Sequence, residues 1–319
     1  MSGVNENSNG NKIETKLETV ERSLDGTIKL IFNTGFHCVL IPGKNNTVLN
    51  SDFKNKYTLC VSSQVGCAMG CKFCLTAKMG FMRNLSCSEI VLQFKSALDY
   101  LCSEYGVDVC ELSNFKNSKG VCYSKDIITS IVYMGMGEPF NNYDNVVGSI
   151  DYLHENYCYP FSKITVSTSG VVPAMKKFIL CDWKVHLAIS FHSPFQDVRD
   201  RLMPFLSRWK IDELVEVCNM YSSKFRDKIM VEYIMIKGVT DRPCDLEKLL
   251  SLGFINMTNF NLIPLNGSME MDGKTYFSSD NSTIDNFHST LRSAGFKCFT
   301  RKNMGEDIEA ACGMLNQND

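Results

Sequence analysis

The sequence has no excess of either charge, no long apolar run, and no repeat or low-complexity block beyond its first residues. Its 33 basic and 35 acidic residues leave a net charge of −2 at pH 7. That argues against broad electrostatic binding to nucleic acid and leaves room only for local patches. No apolar stretch approaches the ~20 residues that a membrane span needs. Residues 1–10 lack a basic stretch followed by an apolar one, so they do not read as a secretory signal. The expected location is cytoplasmic, with no membrane partner and with thiols kept reduced.

What is present is a folded composition, 44% hydrophobic and 21% charged over 319 residues. That length suits one large α/β domain or two small ones. The unusual feature is 15 cysteines. An odd count fits poorly with a complete disulfide framework. Most of these thiols are therefore expected to be buried and to behave as small hydrophobes. The informative cysteines are those that break this rule.

Residues 1–24 are polar and read as a flexible tail, followed by a short β extension over 25–56. Short β-type runs stand at 27–32, 37–41 and 57–62. Ile90, Val91, Phe94, Leu98 and Leu101 repeat at helical spacing. Residues 127–134 are continuously apolar and β-branched, as in a strand buried on both faces. Helices then alternate with strands to residue 300. Six strand–helix units, opened by the Cys60 strand, predict a mostly parallel, open, partial barrel rather than a closed eightfold one. The catalytic domain is expected over 57–315, with a surface insertion at about 105–125 and a tail at 316–319.

Cys67-Ala68-Met69-Gly70-Cys71-Lys72-Phe73-Cys74 is a C-x3-C-x2-C triple on the loop after the Tyr57 strand. At this cysteine frequency, chance yields roughly 0.03 such triples per chain. Soft thiolates favour an iron–sulfur cluster, zinc or Cu(I). A closed zinc site wants four ligands, and no fourth Cys or His stands nearby at a usual spacing. Three ligands on a four-iron cluster leave one iron open for a substrate or cofactor.

The triple, with an aromatic residue before its last Cys, resembles the signature of radical S-adenosylmethionine (SAM) enzymes. Further stretches narrow the likeness: Cys60-Val61-Ser62-Ser63-Gln64-Val65-Gly66-Cys67, Gly80-Phe81-Met82-Arg83-Asn84-Leu85, and Met134-Gly135-Met136-Gly137-Glu138-Pro139. Ser167-Thr168-Ser169-Gly170, Ala188-Ile189-Ser190-Phe191-His192-Ser193-Pro194 and Gly305-Glu306-Asp307-Ile308-Glu309-Ala310-Ala311-Cys312-Gly313 complete the set. Together they resemble the RlmN/Cfr family of RNA adenine methyltransferases, closer to its C2-methylating branch.

The resemblance implies a partial (β/α)6 radical-SAM barrel and a [4Fe-4S] cluster on Cys67, Cys71 and Cys74, whose open iron chelates SAM. It implies SAM contacts at Gly137, Glu138, Ser167, Ser190, Phe191, His192 and Asn266. Two SAM molecules serve each turnover: one methylates Cys312, and a 5′-deoxyadenosyl radical from the other abstracts a hydrogen from that S-methyl group. Cys60 would resolve the RNA crosslink by forming a transient disulfide with Cys312. The implied substrate is RNA, 23S rRNA and tRNA, with flavodoxin or ferredoxin as electron donor and a monomeric enzyme.

Taken singly, several of these residues have plain structural readings: a strand-ending turn for Gly-Glu-Pro, caps or turns for the serines, a packed imidazole for His192. Two departures from the family pattern stand out. The short polar tail takes the place of the family's helical RNA-recognition domain, leaving Arg83, Arg199, Arg201, Arg208, Lys210, Arg301 and Lys302 as candidate phosphate contacts. His37 occupies the position of a carboxylate that acts as proton acceptor, a role imidazole can also take. A radical SAM enzyme for another RNA or a small molecule, and a non-enzymatic iron–sulfur or zinc protein, are the alternative readings.

Overall fold

In the computed structural model, residues 4–6, 12–43, 56–106 and 127–316 are described. The N-terminal strands are rich in β-branched and aromatic residues, which suit a pleated, half-buried surface. β1 (Val4–Glu6) and β2 (Lys12–Glu14) form a separate antiparallel ladder. β3 (Leu17–Arg22), β4 (Ile28–Phe32) and β5 (Phe36–Pro42) form an antiparallel meander. The expected tail to residue 24 is thus corrected, because β3 pairs along its length with β4 and packs Leu17 and Val20 on the core. Its polar residues are the solvated face of an edge strand, with Glu18, Thr19 and Arg22 exposed.

β6 (Tyr57–Cys60) is antiparallel to β5 and opens the parallel part of the sheet. β7 (Gln64–Gly66) and β8 (Phe81–Asn84) form a hairpin that brackets the cysteine loop. The strands β9 (Ile128–Tyr133), β10 (Ile164–Thr168), β11 (His186–Ser190), β12 (Ile229–Met235) and β13 (Thr258–Pro264) follow. After the hairpin of β14 (Ser268–Met271) and β15 (Lys274–Phe277), β16 (Lys297–Thr300) ends the sheet. The order is β16-β13-β12-β11-β10-β9-β6-β5-β4-β3, with every pair from β16 to β6 parallel.

Helices Cys87–Tyr105, Tyr143–Tyr157, Val172–Ile179, Ile211–Phe225, Pro243–Ser251 and Asn281–Ser293 follow β6, β9, β10, β11, β12 and β13. These are the six expected strand–helix units, in a partial barrel with a short N-terminal β extension. β16 adds a seventh parallel strand at the edge. Ile131, Val166, Ile189, Val231 and Leu262 are completely buried between helices and the other side of the sheet. A capping box starts the first long helix: Ser86 Oγ accepts from Glu89 N–H at 3.3 Å, and Ser86 N–H donates to Glu89 Oε2 at 2.9 Å. The stretch read as an insertion, with Cys110 and Cys122, lies for residues 107–126 outside the described residues.

The meander also fixes the C-terminal segment. Lys29 Nζ, almost fully buried, donates to Ile308 O at 3.1 Å and pairs with Glu21 at 3.2 Å. Asp25 Oδ2 accepts from Gly305 N–H at 2.7 Å, and Asp307 Oδ2 accepts from Leu24 N–H at 3.2 Å. Burial alone would push the Asp25 carboxyl up, but hydrogen bonds from Thr27, Gly305 and Ser23 pull it down to about 2. Lys29→Met is expected to remove roughly 1–3 kcal/mol of local stabilisation and to accelerate amide exchange over 305–313. Unchanged exchange in that stretch by hydrogen–deuterium mass spectrometry would refute the clamp.

Candidate active site

The loops at the C-terminal edge of the parallel strands surround one cavity, as expected where strand ends converge in α/β folds. Cys60, Cys67, Cys71, Cys74, Gly137, Glu138, Ser167, Ser190, His192, Asn266 and Cys312 all line it.

The cysteine loop is closed at its base by backbone contacts. Cys67 N–H donates to Gly80 O at 2.9 Å. Gly66 sits at φ +70°, and a Cβ there would lie 1.9 Å from Gly80 O, so only glycine fits. Further along, Lys72 N–H donates to Leu202 O at 2.9 Å, and Leu75 N–H to Gly313 O at 2.7 Å. Thr76 Oγ1 also donates to Leu315 O. All three thiols are free, and burial pushes each of them up, Cys67 to about 12. Three such thiols in one wall of a largely buried cavity form a soft, uncompensated donor set that suits an iron–sulfur cluster. Among the described residues no group of three or more His, Cys, Asp or Glu converges on the spacing of a single ion. The thiols thus ring a wider cradle than a mononuclear zinc site would need.

Glu138 stands at the floor of the cavity, and its carboxylate is saturated by protein donors. Oε1 accepts from Thr168 Oγ1 at 2.7 Å and Phe140 N–H at 3.0 Å, and Oε2 accepts from Ser169 N–H at 2.7 Å and Ser169 Oγ at 2.6 Å. Burial raises this carboxyl, and these donors offset part of the rise. The need for glycine at 137 comes from the protein itself: at φ +95° a Cβ would lie 2.5 Å from Gln64 Cβ. Gln64 Oε1 in turn accepts from Glu138 N–H at 2.8 Å, which locks the Gly-Glu-Pro turn onto β7.

His192 takes a left-handed φ of +62° and returns its ring to the cavity. Its Nδ1 accepts from Ile234 N–H at 3.1 Å, and its ring packs edge-on against Phe73 at 4.8 Å. Asn266 Nδ2 donates to Cys312 O at 2.8 Å, while its Oδ1 is buried without a protein partner. Asn266 therefore touches the Cys312 segment and still offers one acceptor to a ligand.

The two cysteines outside the triple share the same cavity but not the same environment. Cys60 ends β6 and is buried, which pushes its thiol up to about 12, while Cys312 is exposed. Arg301 lies near both thiols and near Glu232, which accepts from Asn261 Nδ2 at 2.7 Å. Coulombic attraction from Cys312 is the largest effect on Arg301 and raises it.

Two expected contacts are not brought to the cavity wall. Phe191 is fully buried against Phe254, with ring centroids 5.4 Å apart. Strand alternation explains this, because Ser190 faces the cavity and its successor must face away. His37 is also buried and outside the lining, with Nδ1 unpartnered, and burial together with Lys29 lowers it to about 4. Of the basic residues listed as phosphate contacts, Arg199 is fully buried and Arg83 is bound to Glu89 at 2.9 Å. Arg201 pairs with Asp272, and Arg301 faces the cavity. The sequence reading missed Thr168, Ser169 and Glu232. The Ser-Thr-Ser-Gly run held a signal for two of these, since Thr168 and Ser169 immediately follow Ser167.

Fold and site are of the radical SAM class. A crystal structure of a radical SAM methyltransferase from Sphaerobacter thermophilus superposes with a TM-score of 0.78, at 34% identity, covering 95% of this chain and 82% of that one. No protein-family model matches the chain. The dual-specificity RNA methyltransferase RlmN of Desulfotalea psychrophila is 40% identical over 298 residues, 93% of this chain and 76% of the relative. The RlmN of Geotalea uraniireducens is 38% identical over 304 residues, 93% of this chain and 77% of that protein. The chain belongs to the RlmN family.

The neutral, buried His37 makes a pH prediction. Its pKa falls from the ordinary 6.5 to about 4 in the fold, so on acidification the unfolded chain takes up a proton that the folded chain refuses. Stability is full above pH 6.5 and falls as the pH drops from there toward 4. His37→Phe should make that fall shallower by up to about 1.4 kcal/mol per pH unit. Anaerobic urea unfolding at stepped pH measures this, and parallel curves for the two proteins would disprove it.

Proposed function

We propose that this protein is a radical SAM methyltransferase that methylates C2 of adenine in RNA, 23S rRNA and tRNA, with Cys312 as the methyl carrier. One observation carries the reading. The exposed Cys312, the buried Cys60 and the cysteine triple all line a single cavity. The triple's loop is also hydrogen-bonded through Leu75 to Gly313, the residue after Cys312.

Cys67, Cys71 and Cys74 would hold a [4Fe-4S] cluster, and Gly137, Glu138, Ser167, Ser190, His192 and Asn266 would hold SAM against it. When bound, the pair supplies a methyl group and one-electron chemistry that no side chain can provide. The chain's own part is placement. Thr168 and Ser169 hold Glu138 in one orientation. Asn266 ties the cofactor side of the cavity to the Cys312 backbone. Cys312 presents a nucleophilic sulfur to accept the methyl group, and Cys60 stands by as the thiol that releases the methylated product through a disulfide with Cys312.

The carrier explains how C2 can be reached. This ring carbon is electrophilic and does not attack a sulfonium, so the methyl group first needs a protein atom to carry it. The division into an N-terminal β extension and a catalytic domain over 57–315 belongs to the same reading. So do a cytoplasmic location, a flavodoxin or ferredoxin as donor, and a monomeric enzyme. Among the described residues no helix is long and apolar enough to cross a membrane.

Anaerobically reconstituted protein should carry an added methyl group on Cys312 by peptide mass spectrometry. It should form 2-methyladenine in ribosomal RNA from cells that lack the native enzyme. Cys312→Ala should still release 5′-deoxyadenosine on reduction with SAM but leave RNA methylation at background. SAM cleavage by the unaltered protein without any 2-methyladenine in rRNA or tRNA would overturn the RNA reading.

A further inference from the structure

Arg199 is the largest fully buried side chain among the described residues. It lies on the short helix Gln196–Leu202 that follows β11. A buried guanidinium is costly unless its charge and its N–H groups are met. Here the N–H groups meet carbonyls only. Nε donates to Phe191 O at 3.2 Å, and Nη2 donates to Ser169 O at 2.6 Å and Ser190 O at 3.4 Å. Nη1 is buried with no hydrogen-bond partner at all. Among the described residues no carboxylate forms an ion pair with it.

The group beside it that can carry a negative charge is Cys71. The guanidinium pulls the Cys71 thiol down against burial, and Cys71 is the strongest of the groups that hold Arg199 up. The backbone brings the two together: Lys72 N–H, one residue after Cys71, donates to Leu202 O at the end of the Arg199 helix. Gly70 approaches Pro204 just beyond that helix. Burial lowers Arg199 only to about 10, so it stays charged at neutral pH.

We infer that Arg199 is the fixed counter-charge of the iron–sulfur cluster, its free Nη1–H groups directed at the sulfurs on the Cys71 side. Arg199 acts as a positioning and tuning residue. Its carbonyl contacts set the loops that carry Ser169 and Ser190, and its charge offsets the negative charge that three thiolates bring into a buried wall. A cation and N–H donors near the sulfurs favour the more negative, reduced state and so raise the midpoint potential. This rests on the reading of Cys67, Cys71 and Cys74 as cluster ligands.

The test uses the reconstituted full-length protein without SAM, with reduction followed by electron paramagnetic resonance at fixed solution potentials. Arg199→Met should lower the reduced-to-oxidised ratio about tenfold, equivalent to a midpoint 59 mV more negative for one electron. Arg199→Lys, which keeps the charge, should recover most of that loss. Cluster-loaded Arg199→Met with an unchanged ratio would overturn the inference. If that variant does not fold or load, unaltered protein labelled with 15N at the arginine guanidinium decides. A 15N hyperfine coupling to the reduced cluster, lost when the label is omitted, supports the contact, and its absence refutes it. Failure of the unaltered protein to take up iron and sulfide would instead overturn the cluster reading beneath it.

Discussion

The hydrogen bond from Leu75 N–H to Gly313 O, at 2.7 Å, joins two parts of the chain whose chemistry must meet. One part carries the cysteine triple and the other carries Cys312, more than two hundred positions later. A C-terminal segment with little regular structure of its own cannot hold a side chain in place by local bonds. It is fixed here by partners on three sides. Leu75 and Thr76 hold it to the cysteine loop, Asn266 holds it to the strand ends, and Asp25 and Lys29 hold it to the meander. The N-terminal strands are thus part of the site, although none of their charged groups lines the cavity.

The second constraint is electrostatic. The cavity wall contains groups that are costly to bury, and each is handled by a different arrangement. Glu138 is satisfied by donors from the neighbouring strand end, as a buried carboxyl requires. Glu232 has Asn261 beside it and Arg301 nearby. Arg199 has carbonyls for some of its N–H groups and no carboxylate for its charge. The thiols of the triple have no donors that offset their burial in full, which is why all three are pushed upward. Positive and negative deficits therefore face each other across the Cys71 loop.

The parallel order of the fold was legible because strands buried on both faces read as continuous apolar runs and helices as periodic ones. The cysteine triple was legible because its ligands are local. The polar supports of the site were not, since they depend on which strands are neighbours. Thr168 and Ser169 reach Glu138 only because β10 lies beside β9. Arg301 meets Cys60 through the joint packing of β16 and the C-terminal segment. Arg199 read as a surface charge because arginines mostly are, and nothing local marks a buried one. The error at Phe191 was avoidable, since period-two alternation turns it away from the cavity. His192 escapes the same rule only through its positive φ.

Two thiols in one cavity with a methyl donor pose a selectivity problem, because only one of them should be methylated. A thiolate is the nucleophile, and burial in apolar surroundings suppresses it. Cys60 is buried among core residues and held at about 12, so at neutral pH it remains a protonated, poorly reactive thiol. Cys312 is exposed on a segment that opens toward the substrate side. Arg301, close to both, attracts whichever sulfur becomes an anion, and its strongest coupling is to Cys312. The difference in burial alone thus directs alkylation to Cys312 while keeping Cys60 intact for a later thiol exchange. The same residue type at two depths can in this way perform two steps without a separate gate.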